Sequence, residues 1–335
     1  VGSEMCIRDS YNYTYDILTA MGGDYPPSMG GYYYTYANYN KVDSKGVEIT
    51  VSHRNKLNLA GKPFSYGASF NLTFARNRYL RYPDSPNTVE WRKRTGRSVD
   101  ASVVWVAEGL FRSEEEIDNS AWYGTRPNVG DIKYKDLNGD GKIDEDDRTR
   151  VGRGNRPELT YGLNLNCAWN GFDLSAQFTG GALFDVSLTG TYYNGYDDNT
   201  VWTQAFKEGA NSPLYLVQNA YTTENPNGTF PRLTLGNQGH GGDNGLASTF
   251  WLRNGRYLRL KSAQLGYTFP KKWMSKCGVE NLRVYCNIQN LLTITGYDGY
   301  DPEIGVSTMS PNVYGVDFGR YPSPTTYSFG LNLSF

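Results

Sequence analysis

The chain has 335 residues, with 33 basic and 34 acidic side chains and a net charge of −1. Balanced charge argues against a dedicated nucleic-acid binder, so no nucleic acid is expected as a partner. No apolar run reaches the roughly 18 residues of a transmembrane helix. A membrane β-barrel stays possible, because its walls alternate apolar and polar residues. Aromatic residues make up 15% of the chain and glycine accounts for 38 positions, which favours strands and turns over long helices.

Residues 1–10 read differently from the remainder, since they lack strand alternation and the order of regions typical of a signal peptide. They resemble a translated adapter, and we interpret them as a non-native remnant and leave them out of the fold argument. We expect residues 11–335 to be the protein itself and the natural protein to begin further upstream.

From Tyr11 onward, apolar and polar side chains alternate with a period of two, which is typical of β-strands. Asn170-Gly171 separates two such runs and predicts a type I′ hairpin turn. The alternation indicates nine or ten strands, and the clearest lie at 32–40, 47–54, 64–75, 159–169, 172–179, 256–269, 282–293 and 326–335. Several of these reach the ten or so tilted residues that cross a bilayer.

The connections between these runs alternate in length. Segments 55–63, 170–171 and 270–281 are short, whereas 77–157, 180–255 and 295–325 are long. Outer-membrane barrels have short periplasmic turns and long extracellular loops. The sequence therefore predicts an all-β fold, an antiparallel transmembrane β-barrel fragment with long extracellular loops and Phe335 on the periplasmic side.

The alternation also predicts the two faces of the barrel wall. Apolar positions expected to face lipid are Phe70, Leu163, Leu165, Phe178, Leu265, Val284, Ile288, Phe329 and Leu331. Polar positions expected to face the lumen are Asn71, Asn164, Gln177, Gln264 and Asn332.

Several segments carry specific motifs, namely Lys45-Gly-Val-Glu-Ile49, residues 130–144, Tyr161-Gly-Leu-Asn-Leu-Asn166, Asn170-Gly-Phe-Asp-Leu-Ser175, residues 250–261 and residues 327–335. Together these segments resemble the C-terminal half of SusC/RagA-type TonB-dependent outer-membrane transporters. The resemblance implies a 22-stranded barrel of which this chain supplies about half, in the outer membrane of a Gram-negative bacterium. It also implies TonB-dependent uptake of oligosaccharides or peptides with a SusD-like surface lipoprotein. The plug domain and the TonB contact have no counterpart here, so the fragment alone is not expected to transport.

Residues 136–147 have the spacing of a calcium-binding loop, with oxygen donors at positions 1, 3, 5, 9 and 12 and a glycine at position 6. The side-chain ligands predicted for Ca²⁺ are Asp136, Asn138, Asp140, Asp144 and Asp147, and Lys142 contributes its backbone carbonyl. Ile143 at position 8 is expected to anchor the loop. The alternative is an Asp/Asn/Gly turn whose carboxylates face water.

Aromatic and polar side chains in the long loops are candidates for contact with a sugar, because flat rings stack on pyranose faces. The candidates are Tyr192, Tyr193, Tyr196, Asp197, Asp198, Trp202, Trp251 and Arg253. The alternatives to sugar contact are that the rings belong to the aromatic girdle at the membrane interface or that they pack the loops together. No catalytic residues are predicted, since Asp301 and Glu303 are the nearest approach to a glycosidase pair and sit in a loop.

A second class of protein shares many of these features. A secreted, calcium-binding β-sandwich that binds carbohydrate would contain the same tyrosines, glycines and acidic loop. It would not need strands of ten or more residues or the alternation of short and long connections.

Overall fold

The computed structural model describes residues 2–21, 35–151, 153–154, 156–188, 214–233, 244–274, 278–303, 317 and 321–335. Its strands are β1 Gly2–Met21, β2 Thr35–Leu59, β3 Lys62–Arg81, β4 Ser102–Val104, β5 Ala107–Leu110, β6 Ile132–Tyr134, β7 Thr149–Val151, β8 Leu159–Trp169, β9 Phe172–Ala182, β10 Asp185–Ser187, β11 Leu252–Asn254, β12 Tyr257–Thr268, β13 Asn281–Thr295 and β14 Thr326–Ser334. Its short helices are α1 Glu114–Asp118, α2 Leu214–Asn219 and α3 Lys271–Met274. None of the described helices has the length and apolar character needed to span a membrane.

Eight long strands form one antiparallel sheet in the order β1-β2-β3-β8-β9-β12-β13-β14. The pairs β4-β7, β5-β6 and β10-β11 form small two-stranded sheets within the connections. Among the described residues β1 and β14 do not pair with each other, so the sheet is open. This single sheet agrees with the predicted barrel wall and disagrees with a sandwich, which needs two packed sheets.

One face of the sheet is apolar across all of its strands. Phe70 lies opposite Leu163, and Leu163 lies opposite Phe178 on the next strand. Other side chains of this face are largely exposed, with 40% of Leu165, 53% of Leu265 and 82% of Phe329 accessible. A large exposed apolar surface is typical of a face that contacts lipid or another protein.

The opposite face is polar. Asn164 lies opposite Gln177, and each alternates along its strand with the apolar residues. Asp173 and Arg283 form an ion pair of 2.6 Å across β12 at Gly266. A Cβ at Gly266 would stand 2.5 Å from both side chains, so the glycine leaves room for the pair. The structure thus confirms that the two predicted sets of residues lie on opposite faces.

The short turns lie together at one end of the sheet, called here the short-turn end. Asn170 and Gly171 adopt positive φ values of 49° and 85°, which confirms the predicted type I′ turn. Lys62, beside the neighbouring turn, donates a 2.5 Å hydrogen bond to the Asn170 side chain. Ser334 pairs with Asn281 at the same end, where the C-terminal strand was predicted to finish.

Two predictions about the first strands are wrong. Segments 32–40 and 47–54 are not separate strands, because β2 runs unbroken for 25 residues and pairs with β3 through the intervening residues 41–46. The turn is not 55–63 but Ala60-Gly61, whose φ values of 51° and 76° suit a two-residue hairpin. Among the described residues the main sheet therefore has eight long strands rather than the nine or ten predicted, nearer one third than half of a 22-stranded barrel.

Residues 2–10, which the sequence analysis left out of the fold argument, lie in the main sheet. They form the first half of β1 and pair with β2 from Gly2 opposite Arg54 to Ser10 opposite Gly46. Pairing between strands uses backbone groups, which any sequence other than proline supplies. Met5 and Ile7 also lie opposite Val51 and Ile49 and so extend the apolar face. Their interpretation as a non-native remnant stays a prediction.

The two faces predict different responses to the same charge. Leu165→Arg places a guanidinium at the middle of the apolar face and is expected to destabilise a membrane-inserted barrel by about 2–4 kcal/mol. Asn164→Arg, its matched control on the polar face, should have a much smaller effect. Heat-modifiable gel migration of the inserted protein measures both. Equal insertion of the two variants would show that the assignment of faces is wrong.

Candidate functional site

The three long connections pack against one another at the end of the sheet opposite the short turns. They are L1 (82–158), L2 (183–256) and L3 (296–325). Their apolar side chains form one buried cluster, called here the loop core: Trp105, Leu110, Ile132, Tyr134, Ile143, Phe184, Val186, Leu188, Leu216, Phe230, Trp251 and Tyr297. The protein therefore buries its core in the connections and not within the main sheet.

L1 and L2 are joined by backbone and side-chain hydrogen bonds. Trp105 donates its backbone N–H to Ala247 at 3.0 Å and accepts one from Thr249 at 2.9 Å. Asp131, which is fully buried, binds the Arg232 guanidinium at 2.7 Å and the Asn244 side-chain amide at 2.7 Å. Pairing with these donors offsets the cost of burying a carboxylate.

L2 and L3 are joined by charged and polar contacts. Arg253 forms an ion pair of 3.0 Å with Asp298, and Asp317 donates its backbone N–H to Ser187 at 3.0 Å. Tyr297 donates its hydroxyl to the Asp317 carboxylate at 2.5 Å. Burial, with a smaller contribution from the charge of Asp298, raises the pKa of Tyr215 to about 12, so this phenol stays neutral at ordinary pH.

A buried arginine on β12 anchors the start of L3 to the polar face of the sheet. Arg259 is 3% exposed and pairs with Asp301 at 2.6 Å and Glu303 at 2.5 Å. Lys261, at a β-bulge of β12, also binds Glu303 at 2.5 Å. Burial opposes ionisation of Asp301, but hydrogen bonds from Arg259 and two backbone N–H groups hold its pKa below its usual value. Both carboxylates are thus engaged in ion pairs.

Residues 136–147 fold through hydrogen bonds from backbone N–H groups to their own acidic side chains. Asp136 accepts from Gly139 at 2.6 Å and Gly141 at 2.8 Å. Asp147, fully buried, accepts from Leu137 and Asp144 at 2.8 Å. Ile143 packs into the loop core, as predicted for its anchoring role.

The acidic side chains of this loop do not converge on one point. Among the described residues, no three His, Cys, Asp or Glu side chains form a group that could hold a metal ion. In this conformation the carboxylates of Asp136 and Asp147 accept hydrogen bonds from backbone N–H groups of the loop. Calcium binding by Asp136, Asn138, Asp140, Lys142, Asp144 and Asp147 stays a prediction.

The predicted sugar-contacting residues have mixed positions. Tyr192, Tyr193, Tyr196, Asp197, Asp198 and Trp202 lie outside the described residues. Trp251 is fully buried in the loop core and donates its indole N–H to the Asn244 carbonyl at 2.9 Å, so it packs the loops. Arg253 links L2 to L3 through Asp298. Sequence reasoning missed Arg259, whose role depends on carboxylates more than 40 residues away.

No family model matches the chain. The chain is 26% identical over 328 residues to TonB-dependent receptor P3 of Formosa agariphila, covering 92% of the chain and 30% of the receptor. It is 25% identical over 307 residues to TonB-dependent receptor SusC of Bacteroides thetaiotaomicron, covering 89% and 27%. The chain thus spans about a third of the length of these relatives.

The chain also has the fold of part of a solved transporter structure. Comparison with the structure of the RagAB peptide transporter gives a TM-score of 0.65 at 21% identity, over 99% of this chain and 33% of that one. The 'open-open' state of the RagAB peptide importer gives a TM-score of 0.67 at the same identity and coverage. At 21% identity this structural similarity establishes the fold of the chain.

Calcium binding is tested on the acidic loop itself. If the loop binds Ca²⁺, adding the ion should slow trypsin cleavage at Lys142. The Asp136→Asn variant should then need at least a tenfold higher Ca²⁺ concentration for the same protection. Glu115→Gln removes the same charge from α1 in L1 and serves as the control. Cleavage that does not change between Ca²⁺ and EGTA would show that the loop is held by its hydrogen bonds alone.

The Arg259 contacts predict how L3 is held. Arg259→Ala leaves two carboxylates without their buried partner, a change that costs about 3–5 kcal/mol where such pairs are broken. We expect faster proteolysis within L3, and little effect of Arg256→Ala, an exposed neighbour. Because the pKa of Asp301 is lowered, its ion pair should persist at pH 5 and be lost only as the pH falls below about 4. Loss of the L3 anchor already at pH 5 would contradict this.

Proposed function

We propose that the chain is the C-terminal barrel portion of a SusC/RagA-type outer-membrane nutrient importer, because it is similar in sequence to TonB-dependent receptors and has the fold of part of a solved transporter. The complete protein would take up oligosaccharides or peptides in a TonB-dependent manner, together with a SusD-like surface lipoprotein. The observation that carries the proposal is the eight-stranded, single-layer sheet with an exposed apolar face.

The height of the apolar face supports insertion in a membrane. On β3 it extends from Phe64 to Phe74 and is followed on the same face by Arg76 and Arg78. Eleven residues of a strand tilted by about 45° span roughly 25 Å, the height of the apolar band of outer-membrane barrels. In this orientation the short-turn end is periplasmic and L1, L2 and L3 are extracellular.

The free edges of the sheet support the view that further strands belong to the protein. Among the described residues β1 and β14 each pair on one side only. An unpaired backbone group costs several kcal/mol in lipid. We propose that strands from the remainder of the receptor satisfy both edges and that residues 2–335 alone will not insert as a closed barrel.

The substrate class is proposed from the relatives and from the polar face of the sheet. Asn164, Gln177, Gln264 and Asn287 line the face proposed to be lumenal, and amide side chains can both donate and accept hydrogen bonds. Such a wall suits hydroxyl-rich oligosaccharides and also the backbone of peptides, which RagAB is named for carrying. The loop core would support a rigid extracellular surface for a lipoprotein partner.

The competing proposal of a secreted β-sandwich module has less support. It requires a second sheet over the apolar face, and the described residues contain one main sheet whose apolar side chains are exposed. The relatives are named as receptors, and Asp301 and Glu303 are bound by Arg259, so transport is proposed rather than catalysis.

The proposal predicts the behaviour of the complete receptor that carries this chain. It should fractionate with the outer membrane, show heat-modifiable migration and co-purify with a lipoprotein encoded beside it. Uptake of its oligosaccharide or peptide should stop when TonB is removed, while surface binding persists. A soluble, periplasmic or secreted product, or uptake that does not depend on TonB, would contradict the proposal.

A further inference from the structure

L1 contains a polar cavity of about 370 Å³ that lies beside the acidic loop 136–147. Two short segments supply its basic lining, one near the 3-10 turn Glu90–Arg92 and one at β7. The residues that define its chemistry are Tyr82, Asp84, Arg92, Arg94, Arg148 and Arg150. Four guanidinium groups in one cavity of this size need a source of negative charge.

Two of these arginines have protein carboxylates as partners. Arg92 binds Asp146 at 3.2 Å, and Arg148 binds Glu145 at 2.8 Å. Both carboxylates belong to the acidic loop, so the loop fixes this side of the cavity. Arg94 and Arg150, in contrast, have no carboxylate within 4.0 Å among the described residues.

The donors of Arg94 and Arg150 are only partly used. Arg150 donates Nε to the Arg92 carbonyl at 3.0 Å and Nη1 to the Ala101 carbonyl at 3.2 Å, which fixes its position and leaves Nη2. Arg94 stacks on the Tyr82 ring at 4.6 Å, and its guanidinium donates no hydrogen bond to a described residue. The Nε of Arg148 is buried and has no hydrogen-bond partner in the described part of the chain.

The single lining carboxylate does not neutralise this set. Asp84 accepts hydrogen bonds from the backbone N–H of Arg94 at 2.8 Å and of Thr95 at 3.0 Å. Both of its carboxylate oxygens therefore already bond the backbone of L1. Counting Asp84, Glu145 and Asp146 against the four arginines still leaves one positive charge. Burial, and then repulsion from Arg94, lower the pKa of Arg150, which means that its surroundings destabilise the charged form of the guanidinium.

We propose that this cavity binds an oxyanion carried by the transported ligand, a sulfate ester, phosphate or carboxylate, between Arg94 and Arg150. The inference rests on the proposed transport function and narrows its substrate class to anionic ligands. A guanidinium fork matches the paired oxygens of these groups, and a charge-assisted bond relieves the repulsion between the two arginines. The cavity lies in the size range of small-molecule sites, and the Tyr82 ring adds an apolar wall for the ligand's carbon skeleton.

The position of the cavity suits a ligand that arrives from outside the cell. L1 is extracellular in the proposed orientation, and its cavity adjoins the acidic loop that is joined to the loop core through Ile143. Trp91 donates its indole N–H to the Asp146 carbonyl at 2.8 Å, and Arg148 lies 4.6 Å from the Trp105 ring. Two tryptophans are therefore close enough to report on anion binding.

The test measures tryptophan fluorescence of the complete receptor in detergent during titration at constant ionic strength. The probes are sodium sulfate, phosphate and acetate against chloride, and then glucose 6-sulfate and glucuronate against glucose. We expect saturable binding of the oxyanions and of the anionic sugars, and no response to glucose. Arg94→Gln should weaken the binding at least tenfold, because it removes a charged donor without disturbing a hydrogen bond of the fold. Arg97→Gln, an exposed arginine three residues away, is the matched control.

Each outcome bears on the inference. Binding of free anions and anionic sugars that depends on Arg94 supports a ligand-borne oxyanion, whereas binding of free anions alone, with anionic sugars excluded, would overturn it. Equal affinities of the Arg94→Gln and Arg97→Gln variants, or no saturable binding, would also overturn it. Outer-membrane location and TonB-dependent uptake are measured separately on the same receptor, so a neutral substrate would refute this inference and leave the proposed function standing.

Discussion

A strand that lies in lipid, as proposed for this sheet, must find all of its backbone hydrogen-bond partners in neighbouring strands, and the proposed function rests on that constraint. It explains why eight strands join in one continuous antiparallel ladder, with side chains alternating between an apolar and a polar face. It also explains why the described residues contain no second sheet over the apolar face. In the proposed function lipid covers that face, so the exposed Leu265 and Phe329 side chains would contact lipid.

A sheet of one layer cannot bury a core, so the connections have to provide their own. L1, L2 and L3 do this by packing Trp105, Trp251 and Tyr297 into one cluster and by pairing backbone groups between loops. Arg259 then fixes the start of L3 to the sheet. The packed connections therefore form a rim that can hold a binding site in place. The arginine cavity in L1 lies in this rim, and Asp146, Glu145 and the carbonyls of Arg92 and Ala101 hold its arginines in position.

The sequence predicted what depends on local pattern. Period-two alternation located β3, β8 and β9, and Asn170-Gly171 located the turn between β8 and β9. These features depend only on residues that are neighbours along the chain. Continuity of β2 through residues 41–46 was missed, since a strand that continues beyond the apolar band loses its apolar alternation. The loop core and the Arg259 network were missed because their partners are far apart in sequence. The repeated Arg-x-Arg at 92–94 and 148–150 was available, but only the fold brings the two pairs together.

The account depends most directly on which medium touches each face of the sheet. Spin labels placed singly at positions 160 to 168 of β8, in the complete receptor in bilayers, can be tested for collision with oxygen and with a water-soluble nickel complex. The account predicts a strict period of two, with oxygen favoured at 161, 163, 165 and 167 and nickel favoured at the even positions. Equal access of nickel to both sets would contradict it, since the apolar face would then lie in water.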